Sequence, residues 1–162
     1  MPITGASPVT PGFYDAYVCV RDKKPQNTDG GTFTSGAWRT RVINDEQADT
    51  ANICTIFGNQ ITLAAGTYQC LISCPALEVA QHQTRLYNIT DAAVLLVGTS
   101  EYAAVAGAVG NRSFIVGQFT VAAGKALEIQ HYCNATKATN GFGARNNRTD
   151  EIYTVAVFQR EA

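Results

Sequence analysis

Gln60-Ile-Thr-Leu-Ala-Ala-Gly66 and Gln118-Phe-Thr-Val-Ala-Ala-Gly124 repeat one pattern, and each glycine is followed at once by another strand-like run. Each copy reads as a β-strand, a tight turn closed by glycine, and a returning strand, because glycine alone tolerates positive φ without steric cost. Outward from these two units the reading stays the same. Segments 14–21, 37–43, 60–63, 67–74, 84–89, 94–101, 112–121, 126–134 and 151–159 read as strands. Between them lie a turn-rich loop at 22–31, an irregular stretch at 44–50 and a long loop at 135–150. The small, apolar segment 103–110 reads as a surface loop. So many short strands at this spacing predict an all-β fold, a sandwich or barrel.

A chain of 162 residues, 46% hydrophobic, fits one domain with a sizeable core. Its formal net charge of −1, with 15% charged residues, carries no electrostatic footprint for nucleic acid or an anionic membrane surface. No apolar run is long enough to cross a bilayer as a helix, and the first residues lack the cationic start and apolar region of a secretion signal. The mature chain is therefore expected to start near Met1. Pro2, Pro8 and Pro11 disfavour helix and pre-extend residues 1–13, which read as an arm ahead of a domain at 14–162.

Five cysteines, Cys19, Cys54, Cys70, Cys74 and Cys133, cannot all pair within one chain. Cys70 and Cys74 share a strand face but sit ~13 Å apart at ~3.3 Å per residue, beyond disulfide reach. They read as buried, reduced thiols. Chemistry is sparse elsewhere. His82 and His131 are the only histidines, and Cys133 shares a strand face with His131. No nucleophile, base and orienting group come together in the sequence. There is no phosphate loop and no His, Cys and carboxylate spacing for a metal. Asp45-Glu46-x-x-Asp49 lacks the alternating oxygen ligands of a calcium loop and reads as solvated. No catalytic residue, cofactor or metal is expected. Trp38-Arg39-Thr40-Arg41 reads either as a binding patch or as a strand whose arginines line a sheet surface.

Strand faces carry more information. In 113–121, Ile115 and Phe119 point to one side and Phe114 and Val116 to the other; in 152–158, Ile152, Ala156 and Phe158 oppose Tyr153, Val155 and Val157. A strand with one wet face alternates apolar and polar, so both faces here call for burial. The second cover is either another subunit or the chain's own loops and arm.

Several segments resemble a known family. Ile61-x-Leu63-x-x-Gly66-x-Tyr68-x-Cys70-x-Ile72 is similar to the central strand pair of C1q and tumour-necrosis-factor-like jelly rolls. Phe114-Ile-Val-Gly117-Gln-Phe119-x-Val121-x-x-Gly124-x-x-Leu127-x-Ile129 resembles their later pair. Whole phrases, among them Gly31-Thr-Phe-Thr-Ser-Gly-Ala-Trp-Arg-Thr-Arg41, Arg85-Leu-Tyr-Asn-Ile-Thr-Asp91 and Glu128-Ile-Gln-His131, are similar to the C1q-like modules of tailed-bacteriophage virion proteins. The resemblance implies a ten-stranded C1q/TNF-like jelly-roll sandwich assembled as a homotrimer. It sends Tyr68, Cys70 and Ile72 into the sandwich and Gln69, Leu71 and Ser73 toward the three-fold axis, joined by Phe114, Val116, Gln118, Tyr153, Val155 and Val157.

The function this implies is a non-enzymatic virion structural protein assembled in host cytoplasm. With no shaft ahead of the module, the expected role is capsid decoration or cement, docked on the major capsid protein through the arm, with Ile3 and Phe13 as contact candidates. The alternative is the receptor-binding tip of a tail fibre or baseplate that recognises a host-surface glycan or protein. Its contacts would come from the polar, cationic and flexible loop carrying Lys137, Asn140, Arg145 and Arg148. An extracellular cytokine-like ligand has no secretion signal to support it.

Overall fold

The computed structural model describes residues 12–162. Among these, the strands are β1 Tyr14–Lys24, β2 Arg39–Thr40, β3 Asp45–Asp49, β4 Cys54–Phe57, β5 Gln60–Leu63, β6 Gly66–Leu77, β7 Ala80–Asn88, β8 Ala93–Ala103, β9 Gly110–Val121, β10 Ala126–Cys133 and β11 Glu151–Glu161. No helix occurs among the described residues. Ten strands form two five-stranded antiparallel paths, a front sheet β3-β1-β11-β6-β9 and a back sheet β4-β5-β10-β7-β8, and β2 pairs with β10 beside the latter. The two sheets face each other as a jelly-roll sandwich.

The repeated units at 60–66 and 118–124 are not hairpins. β5 lies in the back sheet and β6 in the front; β9 lies in the front and β10 in the back. Each unit is thus a corner that carries the chain from one sheet to the other. The two corners stack, with β5 on β10 and β6 on β9. A corner and a hairpin both need an abrupt reversal flanked by strands, so local sequence alone does not separate them. Their glycines also differ. Gly124 has φ +73°, as a left-handed turn requires, whereas Gly66 does not; a Cβ there would meet the Arg160 side chain at 2.8 Å.

Two further expectations change. The irregular stretch 44–50 holds β3, which pairs with β1, and the four residues of β4, which pair with β5, lie outside the strands expected from the sequence. Strand 37–43 shrinks to the two residues of β2, since Arg41 turns its side chain away from the surface.

The main core lies between the sheets, built by Val18 and Val20 of β1, Tyr68, Cys70 and Ile72 of β6, Ile115 and Phe119 of β9, Leu127 and Ile129 of β10, and Phe158 of β11. A satellite cluster of Phe33, Ala76, Val79, Ala103 and Cys133, with Phe142 against it, closes one end beneath the loops.

Candidate functional site

The outer face of the front sheet is assembled by register. Cys19 lies opposite Val157, Val157 opposite Leu71, and Leu71 opposite Val116, which makes one row across β1, β11, β6 and β9. The next row runs Arg21, Val155, Ser73, Phe114, and the one on the other side Tyr17, Gln159, Gln69, Gln118. Residues directly opposite in antiparallel strands share a face and touch. An apolar stripe with a polar margin therefore crosses the sheet. Leu71 is 50% exposed, Val116 68% and Phe114 38%, although their strand neighbours Tyr68, Ile72 and Ile115 are wholly buried inside. Both ends of the stripe are fixed by polar pairs, since Arg21 grips Asp45 and Gln118 donates to the carboxylate of Glu161.

Tyr153, expected on this face, does not lie open on it. Tyr153 is buried by the chain's own loops: its hydroxyl donates to the carbonyl of Thr28 at 2.6 Å, and a Cβ on Gly143 would touch its ring at 2.4 Å. Burial, then the negative charges of Glu151, Asp29 and Asp22, push its phenol up to about 12. Tyr17 and Cys19, which the sequence reading did not place here, complete the face on the β1 side. The alternation in Tyr17-Val-Cys-Val-Arg21 was the available signal.

Of the loop candidates, Lys137 is paired with Glu78, and Arg145 donates to Asp29 through its backbone amide at 3.0 Å and its guanidinium at 2.8 Å. The 137–143 segment is laced to residues 30–33 by backbone bonds, including Phe33 to Lys137 in both directions. It is therefore a docked loop with two of its cations neutralised, not a free cationic finger. Asn140 is half-buried and accepts from the Gly143 amide; Arg148 is exposed. Phe13 is 76% exposed, and Ile3 with most of the arm lies outside the described residues. Asp45 and Asp49 are spent on Arg21 and on the Ala51 and Cys54 amides. Among the described residues no group of three or more His, Cys, Asp and Glu side chains is placed to hold a metal.

Beneath the back sheet lies a polar layer that the sequence did not announce. Arg41, which either sequence reading places at the surface, is fully buried. Its Nε donates to Thr154 Oγ1 at 2.8 Å, its two Nη atoms to the carbonyls of Pro75 and Phe142 at 3.1 Å each, and its guanidinium lies 4.2 Å from the Phe142 ring centre. Beside it runs a chain of bonds. Asn111 Nδ2 donates to Tyr102 O, which leaves Asn111 Oδ1 to accept from His82 Nε2 at 2.7 Å. Neutral His82 then accepts at Nδ1 from His131 Nε2 at 2.9 Å, and His131 Nδ1 is left buried without a donor. Burial above all, then the charge of Arg41, holds His131 well below the ordinary imidazole value of 6.5; burial lowers His82 as well.

All five cysteines are buried and unbonded to one another. Burial pushes Cys54 up to about 12 and Cys70 and Cys133 to about 11, so these remain thiols at neutral pH. His131 and Cys133 share a face, yet Cys133 donates to the carbonyl of Ala135, not to an imidazole.

No protein-family model matches the chain, and neither does any curated protein. Solved structures do. The globular domain of zebrafish complement 1qA protein is similar over 91% of this chain and 96% of its own, at 14% identity and TM-score 0.55. Murine APRIL is similar over 89% and 98%, at 10% identity and TM-score 0.56. PRD1 vertex protein P5 is similar over 93% and 100%, at 12% identity and TM-score 0.57. The fold is the C1q/TNF-like jelly roll.

Proposed function

We propose that the chain is a homotrimeric, non-enzymatic structural protein of a virion, and that it decorates the capsid surface. The observation that carries the assembly is the apolar stripe Val157, Leu71, Val116, flanked by Val155 and Phe114, on a sheet whose other face already holds the core. A solvent-facing sheet surface has no reason to repeat branched aliphatic residues in register across three strands; a second copy of the chain gives it one. The fold shared with a vertex protein and the phrase-level resemblance to phage virion modules support the virion setting. Buried thiols, neutral buried histidines and the absence of a metal-ligand cluster among the described residues offer no reactive centre for a hydrolytic role.

Sizing with light scattering tests the assembly: the expected mass is three times that of the chain, and a stable monomer at micromolar concentration refutes it. Incubating the trimer with undecorated phage capsids, then imaging them, tests the role. Density for the chain on the capsid lattice is expected, lost on deletion of Met1–Gly12. Density confined to a tail tip, or adsorption of the free trimer to host cells in competition with phage, replaces decoration with receptor binding.

A further inference from the structure

Across the sandwich from Leu71 and Val116, the outer face of the back sheet carries a cleft of about 560 Å³ lined by Trp38, Tyr102 and Tyr132 with Gln81, Gln83, Ser100, Glu101 and Asn134, and with His82 below. Register again explains its shape. Gln81 and Gln83 lie on β7, between β8 and β10, opposite Tyr102 and Ser100 of β8, and Gln83 also lies opposite Tyr132 of β10. Amides thus form a floor between aromatic walls. The Trp38 indole is fixed in advance, with the Arg85 guanidinium 4.1 Å from its centre and the Tyr132 ring at 5.7 Å, tilted by 60°. A wall that is already ordered costs little to bind against.

We propose that this cleft binds a neutral saccharide. Aromatic rings offer apolar faces to the C–H face of a pyranose, while amide side chains offer a donor and an acceptor to neighbouring hydroxyls. Those groups are partly vacant. Gln83 Nε2 is committed to Gly98 O and Ser100 Oγ, and Asn134 Nδ2 to Gln81 Oε1. Gln83 Oε1, Gln81 Nε2, Asn134 Oδ1 and the Glu101 carboxylate make no hydrogen bond to another described residue. The single ionised group among the lining side chains is Glu101, and His82 is kept neutral, so an anionic ligand meets only a carboxylate in the lining itself, while the Arg85 guanidinium already stacked on Trp38 opposes a cation at that wall. A purely apolar ligand would strip water from the amide floor without replacing its bonds. The proposal stands on the cleft alone and does not depend on how the chain assembles.

Trp38 is the only tryptophan, so intrinsic emission reads this cleft directly. The full chain is titrated with glucose, galactose, N-acetylglucosamine and their β-linked disaccharides, and with tetramethylammonium and N-acetylneuraminate as charged probes. A saturable change with at least one neutral sugar, in the millimolar range, is expected. Tyr102→Ala, at an exposed position, should weaken it about tenfold with unchanged sizing and melting, and Gln83→Leu about as much, with some loss of melting temperature because Gln83 also bonds Gly98 and Ser100. The inference is overturned by saturation with a charged probe in place of the sugars, by a response that Tyr102→Ala leaves unaltered, or by no saturable response to any of the neutral sugars in the tens of millimolar.

Discussion

Arg41 shows how much one residue can hide in a sequence. Trp38-Arg39-Thr40-Arg41 alternates like an exposed strand, and Arg39 does stay near the surface, donating to the carbonyls of Thr34 and Ser35. Arg41 instead turns inward because three acceptors from three separate segments converge there, which only the folded chain assembles. The planar fork satisfies all three at once, and a lysine offers no such geometry. Arg41→Ala is expected to cost ~3–5 kcal/mol, since it strands buried acceptors and opens a cavity. Arg41→Lys should recover only part of that loss; denaturant unfolding measures both, and a cost under ~1 kcal/mol for the alanine variant contradicts the account. The neighbouring histidines make stability depend on pH. Their folded values lie below 6.5, so the unfolded chain binds protons first as pH falls. Their contribution is complete above 6.5 and is lost below it, at up to ~1.4 kcal/mol per pH unit for each histidine. Unfolding free energies measured between pH 7 and 5 should therefore decline, and His131→Gln should flatten the slope. A wild-type profile with no decline across that window rules this out.

At the scale of elements, most strands were legible, and two-residue periodicity separated Ile115 and Phe119, which are buried, from Phe114 and Val116, which are exposed; the resemblance to C1q and TNF-like jelly rolls pointed Tyr68, Cys70 and Ile72 into the core, where they lie. What stayed illegible was which sheet each strand joins. The repeated Ala-Ala-Gly units were corners, and β3, with its run of acidic and amide residues, is a strand only because β1 offers it an edge. The aromatic cleft was equally silent, since Trp38, Tyr102 and Tyr132 are far apart in sequence and meet only through the β10-β7-β8 register. One element shows why its residue had to be what it is. Gly98 sits on β8 where the pairing with β7 slips between Gln83 and Arg85, and a Cβ there would lie 2.2 Å from Thr84 Oγ1 and 2.9 Å from Phe114 O of the front sheet. Gly98→Ala should destabilise by ~1–3 kcal/mol through overpacking. Gly124→Asn, where only positive φ is required, should cost under ~1 kcal/mol. Equal melting temperatures for the two variants would remove the distinction.

For the whole molecule, the front-sheet stripe is the feature with the widest reach. Val116→Asp or Leu71→Asp places a charge at a surface that is water-exposed in the single chain and dry in the proposed trimer, so folding should survive while association weakens by ~3–5 kcal/mol. Phe57→Asp, at a still more exposed apolar position on the far sheet, should leave association intact. Sizing across a dilution series reads all three, and equal dissociation of the Phe57 variant would show that the stripe is not special. The five thiols extend the same question from equilibrium to time. Cys19 lies in the front face, Cys54 at the β4 edge, Cys70 and Cys74 along β6, and Cys133 beneath the loop end. Each is both shielded and protonated, so an alkylating reagent reaches it only during the moments when its own region opens. The order in which the five acquire label under native conditions is then a clock of local opening spread over the molecule, with no added reporter, and Cys19 is the position whose rate should slow as protein concentration rises.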